Sequence, residues 1–197
     1  MARGLPLNAW AAAALLQGLA ALLVWPLPRE LLDWQPALFA AQPWRAFSAA
    51  WVHWSPLHLG ANLAGCVVLA LLGQRAGLGR RAVLAWLLAW PLTQLALLAW
   101  PSLRHYGGLS GVLHAGVAIA AIELLARQGR ERLIGVLIST GLLLKLTLEA
   151  PMGPPLRQMP GWDIAIAPAA HLGGTLAGAL CALLLRAWPW TRPSLRA

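Results

Sequence analysis

Five polar side chains in this sequence stand inside apolar stretches, and their types suit acyl-transfer chemistry. Ser110 begins one apolar stretch and His114 follows one helical turn later, while His171 lies in a later stretch. His58 and Asn62 are four residues apart, which places both on one face of a helix. A hydroxyl nucleophile, an imidazole base and nearby hydrogen-bond donors are the groups that acyl transfer requires. Three separate stretches must therefore meet for this chemistry to occur.

The composition around these residues is that of a membrane protein. Of 197 residues, 59% are hydrophobic and only 11% are charged, whereas about a quarter of a soluble domain is charged. Six apolar stretches approach the length of about 20 residues that a bilayer span needs. They cover residues 8–25, 57–72, 82–100, 109–126, 133–148 and 164–187. We predict an all-α polytopic membrane protein with six transmembrane helices in a single domain, residues 1–197.

The net charge of +9 is spread along the chain and does not form one basic cluster. Basic residues scattered between apolar runs are typical of loops that set membrane topology, not of a nucleic-acid-binding face. We place the N-terminus, the C-terminus and every second connection between spans on one side of the membrane. That side then holds ten arginines and the other side holds four. The positive-inside rule therefore predicts that both termini are cytoplasmic. The ten are Arg3, Arg75, Arg80, Arg81, Arg127, Arg130, Arg132, Arg186, Arg192 and Arg196, and the four are Arg29, Arg45, Arg104 and Arg157.

This topology places the polar side chains at one level. Spans two, four and six all enter from the outer face, so His58, Ser110 and His171 lie near their outer ends. A polar group inside a bilayer is costly unless it is paired or faces a wet cavity, so each is a candidate functional residue. The long gap over residues 26–56 also lies on the outer side, and its many aromatic residues predict a segment in the membrane interface.

Small residues favour close packing of the spans that carry the serine and the histidine. Gly174 and Gly178 are four residues apart in span six, which gives a small face that another backbone can approach, and Gly111 and Gly116 thin span four. The first turn of a helix also leaves backbone N–H groups unpaired, so Ser110 lies where an oxyanion could be bound.

Taken together, these motifs resemble the rhomboid intramembrane serine proteases. The resemblance implies a catalytic dyad of Ser110 and His171 and an oxyanion hole formed by His58, Asn62 and backbone N–H groups near Ser110 and Gly108. It also implies a bacterial cytoplasmic (inner) membrane protein whose active site lies towards the periplasmic side. The matching motifs are Trp44-Arg45-Ala46-Phe47, His53, His58-x-x-x-Asn62, Gly108-x-Ser110-Gly111 and Ala170-His171-x-x-Gly174-x-x-x-Gly178.

One position departs from the commoner bacterial rhomboid pattern. Four residues after the nucleophile, that pattern has a tyrosine on which the catalytic imidazole stacks, and here the residue is His114. With the compact length and the Lys145-x-x-x-Glu149 pair, this resembles the rhombosortase branch. That branch is associated with processing proteins that end in a Gly-Gly motif, an apolar helix and a basic tail. The resemblance therefore implies membrane-anchored protein substrates with such tails.

Other functions stay open at this point. A general rhomboid protease for single-span substrates is the main rival, and a non-catalytic relative that binds client helices is another. A transporter is disfavoured, since the sequence has neither paired broken spans nor an internal repeat. No residue set suggests a metal or an organic cofactor, and none is predicted. Cys66 and Cys181 are expected to be small buried hydrophobic residues.

The individual residues also have structural alternatives. Ser110 and His171 could pack helices, His58 and Asn62 could join the outer loop to the bundle, and His114 could fill space. No acidic residue is expected near the dyad, which leaves His114 as the candidate for orienting the His171 ring. We expect His53 and Trp44-Arg45 to anchor the outer loop. Lys145 and Glu149 are expected to form an i,i+4 ion pair, with recognition of the substrate or its tail as the alternative role.

Overall fold

Each of the six apolar stretches contains one helix. A computed structural model describes residues 6–188, so the expectations for Arg3, Arg192, Arg196 and both termini lie outside the described residues. The α-helices are α1 (Ala9–Val24), the four-residue α2 (Arg45–Ser48), α3 (Pro56–Arg75), α4 (Arg80–Leu95), α5 (Ser110–Leu125), α6 (Gly129–Glu149) and α7 (Pro168–Ala187). Short 3₁₀ helices cover Arg29–Leu31, Pro36–Leu38, Ala49–Trp51 and Ala96–Ala99.

The last helix begins later than the sequence predicts. The stretch from residue 164 starts with a two-residue strand, β2 (Ala165–Ile166), which pairs in antiparallel register with β1 (Arg157–Gln158). Pro168 then occupies the first turn of α7, where its missing N–H costs nothing. A residue before proline is disfavoured in the helical region, and Ala167 accordingly has φ −112° and ψ 85°, outside that region.

Three helices in the described part of the chain are long and apolar enough to cross a membrane by themselves. They are Pro56–Arg75, Arg80–Ala99 and Pro168–Ala187. The apolar helices Ala9–Val24 and Ser110–Leu125 have 16 residues each, which is slightly short of a typical span. Helix α6 has 21 residues but carries charged side chains towards both of its ends. The predicted number of six spans therefore depends on α1, α5 and α6 as well.

Helix α5 lies in the middle of the bundle. It packs against α3, α4, α6 and α7, and ten of its sixteen residues are buried. A helix that is hydrophobic on all sides is typically buried on all sides. This central helix begins at Ser110 and therefore holds the candidate nucleophile at one end of the core.

Glycines bring the backbones of α5 and α7 into direct contact, as predicted. A Cβ built on Gly174 would lie 1.9 Å from the carbonyl oxygen of Gly111, and a Cβ on Gly178 would lie 2.4 Å from that of Ala115. No side chain fits at either position without separating the helices. The contact places the first turns of α5 and α7 side by side.

The segment between α1 and α3 is anchored by a buried ion pair. Arg45 Nη1 donates to Asp33 Oδ1 at 3.1 Å and to the Asp33 carbonyl oxygen at 2.7 Å, and the Asp33 side chain is fully buried. The predicted role of Arg45 as a loop anchor is confirmed, whereas the adjacent Trp44 is half exposed. The expectation for His53 also fits, since its Nδ1 donates to the Trp51 carbonyl oxygen at 3.0 Å. Cys66 and Cys181 are free and buried, as expected.

Candidate active site

Ser110 and His171 meet where α5 and α7 begin. The Ser110 hydroxyl lies 3.0 Å from Nε2 of His171, and the His171 side chain is only 7% exposed. Ser110 is the first residue of α5, and His171 lies in the first turn of α7. The hydroxyl donates to Nε2 when the proton of the neutral imidazole is on Nδ1. The two residues predicted from the sequence to be the nucleophile and the base therefore lie within hydrogen-bond distance of each other.

His114 holds the His171 ring from one face. The two imidazole rings are stacked, with centroids 4.2 Å apart and planes inclined by 11°. His114 Nδ1 donates to the Ser110 carbonyl oxygen at 2.6 Å, which fixes the orientation of its own ring. Because His114 is one turn below Ser110 on the same helix, the stack also links the positions of the serine and the histidine.

The prediction that no acidic side chain lies near the dyad is wrong. Glu149 Oε2 lies 2.6 Å from Nδ1 of His171, on the side of the ring away from Ser110. The other carboxylate oxygen contacts Lys145 Nζ, so the predicted Lys145–Glu149 ion pair is confirmed. From the sequence, Glu149 was predicted to pair only with Lys145 on the same helix. Its contact with His171 could not be predicted from helical spacing because the two residues are 22 positions apart. One feature of the sequence could have indicated this contact, since Glu149 and His171 both lie near the predicted outer ends of consecutive spans.

The opposite side of Ser110 is formed by α3. The His58 ring lies against Gly108, since a Cβ built on Gly108 would be 2.7 Å from His58 Nε2. Gly108 also has φ +135°, a conformation that is costly for any other residue. His58 Nδ1 accepts from the Trp54 N–H at 3.4 Å, which leaves Nε2 as the protonated nitrogen. A bound oxyanion beside Ser110 would find a donor in this N–H.

Asn62 supplies a second unused donor. Its Nδ2 is buried and has no hydrogen-bond partner in the described part of the chain. A buried amide without a partner costs roughly 1–3 kcal/mol, so this group is suited to a bound molecule that accepts from it. Asn62 and His58 line the same cavity as Ser110.

The backbone near Gly108 is arranged differently from the expectation. The Gly108 N–H donates to the Ala49 carbonyl oxygen at 2.9 Å and is therefore committed to the fold. No side chain caps α5, which begins directly after Leu109, so N–H groups of its first turn have no helical carbonyl to pair with. Backbone donors next to Ser110 would therefore come from the first turn of α5 and not from the Gly108 N–H.

Tyr106 is a neighbour of the site that the sequence did not indicate. Its hydroxyl donates to the Gly108 carbonyl oxygen at 3.2 Å, and burial raises the pKa of the phenol to about 12. The backbone of Tyr106 pairs with that of Trp34 in the loop between α1 and α3. Tyr106 thereby connects the loop between α1 and α3 to the turn that precedes Ser110.

A cavity of about 460 Å³ opens onto the Ser110 hydroxyl. It lies between α3, α5, α6 and the first turn of α7, and residues 156–167 contribute to its wall on the side where α5 and α7 begin. Ser55 Oγ donates to Asp163 Oδ1 at 2.8 Å and accepts from the His58 N–H at 3.1 Å, which joins the segment of residues 156–167 to α3. The volume lies within the range of about 300–1,000 Å³ that is typical of ligand pockets. The residues with ionisable, hydroxyl or amide side chains in its wall are His58, Asn62, His105, Tyr106, Ser110, His114, Lys145, Glu149 and His171.

No group of His, Cys, Asp or Glu side chains among residues 6–188 is arranged to hold a metal ion. The prediction that the protein needs no cofactor stays a prediction.

Comparison with known proteins places the chain in a family. Residues 40–188, most of the sequence, match the Rhomboid domain, and this range contains every residue of the site described above. No curated protein matches the sequence. The domain and the apolar helices together indicate an integral membrane protein. On this match over most of its length, the chain belongs to the rhomboid family, whose members are generally intramembrane serine proteases.

Proposed function

We propose that this protein is an intramembrane serine endopeptidase in which Ser110 is the nucleophile and His171 is the general base and acid. The observation that carries the proposal is the 3.0 Å contact between Ser110 Oγ and His171 Nε2 at the wall of the cavity. A serine and a histidine at this distance form the reactive pair of serine hydrolases, independent of fold.

The reaction follows from this geometry. Ser110 Oγ attacks the peptide carbonyl carbon while Nε2 of His171 accepts the hydroxyl proton. The negative charge that develops on the carbonyl oxygen is stabilised by His58 Nε2–H, Asn62 Nδ2–H and the first-turn N–H groups of α5. The C–N bond then breaks, and the proton on Nε2 moves to the leaving amine. Water, or another amine, attacks the acyl-enzyme and releases Ser110.

The proposed membrane arrangement has six spans and both termini in the cytoplasm of a bacterial cell, with the site towards the periplasmic face. Two further observations support it. Ser110, His58 and His171 all lie in the first turns of their helices, so three helices present their reactive residues at the same end of the bundle. The four arginines assigned to the outer side all lie in or next to segments at that end.

The proposed substrates are membrane-anchored proteins with C-terminal Gly-Gly sorting tails, as in the rhombosortase branch. The stacked pair of His114 and His171 supports this branch, because His114 takes the place of the tyrosine of the commoner pattern. The alternative is a general rhomboid protease for single-span proteins, which has the same chemistry. A non-catalytic client-binding role is a weaker alternative, since the pair of Ser110 and His171 is intact.

Coexpression with two reporters tests the proposal. One reporter ends in Gly-Gly, an apolar helix and a basic tail, and the other is a conventional single-span protein. We expect cleavage of the tailed reporter by the wild type and by Ser139→Ala, a control serine on α6 outside the cavity wall, but not by Ser110→Ala or His171→Ala. Cleavage by Ser110→Ala would exclude the serine-protease mechanism. Cleavage of the conventional reporter alone would exclude the proposed tail preference.

A further inference from the structure

A chain of polar contacts continues from Ser110 through His171 to α6. Ser110 Oγ contacts His171 Nε2, His171 Nδ1 contacts Glu149 Oε2, and Glu149 Oε1 contacts Lys145 Nζ. Building on the proposed function, we propose that Glu149 is a positioning residue that completes a Ser110–His171–Glu149 triad, with Lys145 as its counter-ion. Lys145 and Glu149, which the sequence predicts as a structural ion pair, would then also help to position the proposed base.

The first argument concerns the tautomer of His171. Nε2 can accept the serine proton only if the proton of the neutral ring is on Nδ1. An ionised carboxylate has acceptors and no donors, so a carboxylate 2.6 Å from Nδ1 selects this tautomer. Without it, either nitrogen could carry the proton, and the ring would spend part of its time in the unreactive form.

The second argument concerns the available alternatives. His114 stacks on the face of His171, and its Nδ1 is already bonded to the Ser110 carbonyl oxygen. A stacked ring resists tilting but offers no acceptor in the plane of the His171 imidazole. Glu149 therefore supplies the in-plane contact at Nδ1, and the two neighbours restrain the ring in different directions.

The third argument is that this carboxylate is badly placed for stability alone. Glu149 is the last residue of α6, where the helix dipole disfavours a negative charge, and its side chain is 6% exposed. Lys145 compensates for part of this cost. Arg157 adds a positive charge at the same helix end by donating to the Leu148 carbonyl oxygen at 3.0 Å. A buried anion with a lysine as counter-ion, aimed at the proposed base, fits a functional requirement.

The role of Glu149 in the reaction is electrostatic. When Nε2 accepts the proton from Ser110, the imidazolium keeps its Nδ1–H bond to the carboxylate, which stabilises the positive charge that forms next to the oxyanion. Glu149 stays ionised throughout and no proton is transferred to it. The proton on Nε2 then moves to the leaving amine, which returns His171 to its neutral form.

Two substitutions at position 149 separate the effect of charge from that of size. Glu149→Gln keeps the length and removes the charge, whereas Glu149→Asp keeps the charge and shortens the side chain by one methylene. The matched control is Glu123→Gln on α5, because Glu123 is also ion-paired, with Arg186 at 3.2 Å, but lies outside the cavity wall. The measurements are kcat and KM for reporter cleavage, the rate at which a fluorophosphonate probe labels Ser110, and the unfolding temperature in detergent.

We expect Glu149→Gln to lower kcat by at least about 10²-fold and up to the roughly 10⁴-fold seen when a triad carboxylate is lost, with KM within about threefold. Labelling of Ser110 should slow to a similar degree, while Glu123→Gln behaves as the wild type. In Glu149→Asp the rate of Ser110 labelling should fall at least about tenfold, but this variant should retain more activity than Glu149→Gln. If Glu149 only packed α6 against α7, the isosteric Gln would be the milder change, and kcat of the folded protein would stay within about tenfold of the wild type; that result would overturn the proposal.

The outcomes also separate this inference from the proposed function. If Ser110→Ala and His171→Ala are inactive while Glu149→Gln is fully active, only the triad is wrong. If Glu149→Gln does not fold, wild-type labelling in Glu149→Asp would be the refuting result. If the wild type shows no Ser110-dependent cleavage or labelling, the proposed function and the triad both fail.

Discussion

The glycine contact between α5 and α7 sets the distance between the proposed nucleophile and base. Gly174 lies three residues after His171 on α7, and it touches the backbone of Gly111, the residue after Ser110. Gly174→Ala therefore perturbs the reactive pair without removing any group that takes part in the chemistry. The substitution adds a single methyl group.

The size of the perturbation follows from the structure. The new Cβ would lie 1.9 Å from the Gly111 carbonyl oxygen, about 1.5 Å short of the 3.4 Å at which ordinary contact begins. Neither backbone can move aside as a flexible side chain would, so the helices must separate. If most of this displacement reaches the first turns, the distance from Ser110 Oγ to His171 Nε2 rises from 3.0 Å to about 4.5 Å, beyond hydrogen-bond range.

We expect Gly174→Ala to lower kcat/KM by at least about 10²-fold, because a misplacement of 1 Å can cost that much. Overpacking should also lower the free energy of unfolding by about 1–3 kcal/mol. The assay is reporter cleavage and fluorophosphonate labelling of Ser110, each normalised to folded protein. Gly60→Ala on α3 is the control, since a Cβ there meets no atom within 4 Å and should leave activity unchanged. Wild-type labelling of folded Gly174→Ala would refute the claim that this contact sets the reactive distance.

Three further predictions concern the segments around the site. Arg45→Ala leaves the buried Asp33 carboxylate without its guanidinium partner, although His105 Nδ1 still contacts Asp33 Oδ2 at 2.7 Å. We expect a loss of about 1.5–3 kcal/mol in the free energy of unfolding, the range for a hydrogen bond to a charged group, against little change for the exposed Arg104→Ala. Equal unfolding temperatures would contradict this. Ala150 ends α6 in the left-handed conformation at φ 49°, so Ala150→Gly should raise the free energy of unfolding by about 1 kcal/mol, measured by thermal unfolding, and a loss of stability would show that the Ala150 methyl group matters more. Burial lowers the pKa of His53 to about 4, below its unfolded value of 6.5, so its contribution to stability is complete above about pH 6.5 and is lost as the pH falls towards 4. The unfolding temperature of the wild type should therefore fall more steeply over this range than that of His53→Asn, which keeps a donor near the Nδ1 position but does not titrate, and parallel curves would contradict the assignment.

The helices and the main polar residues could be predicted because they depend on local patterns. Apolar runs bounded by Pro, Gly and Arg define where the helices lie, and their alternation puts His58, Ser110 and His171 at one level. The Gly174 and Gly178 pair likewise predicts a close approach of two backbones from spacing alone. These features need only the length of a span and the period of a helix.

The contacts that span the gaps could not be predicted, since they depend on how irregular segments fold. Whether Glu149 reaches His171 depends on the path of residues 150–167, which includes a two-stranded hairpin that no alternating pattern indicates. The Gly108 N–H bonds to Ala49, a residue in the loop before α3, and nothing in either local sequence relates the two. The later start of α7 follows from the same hairpin, because residues 165–166 pair with 157–158 instead of extending the helix.

The Ser55 hydroxyl makes two bonds of different kinds, and only one of them crosses to the segment of residues 156–167 that contributes to the cavity wall. It donates a hydrogen bond to the Asp163 carboxylate and accepts one from the backbone N–H of His58. If the segment moves away from α3, the bond to the carboxylate exchanges for one with water at a net cost of about 1.5–3 kcal/mol, and the bond within α3 is untouched. Loss of this one link would therefore leave the first turn of the helix that carries His58 and Asn62 intact.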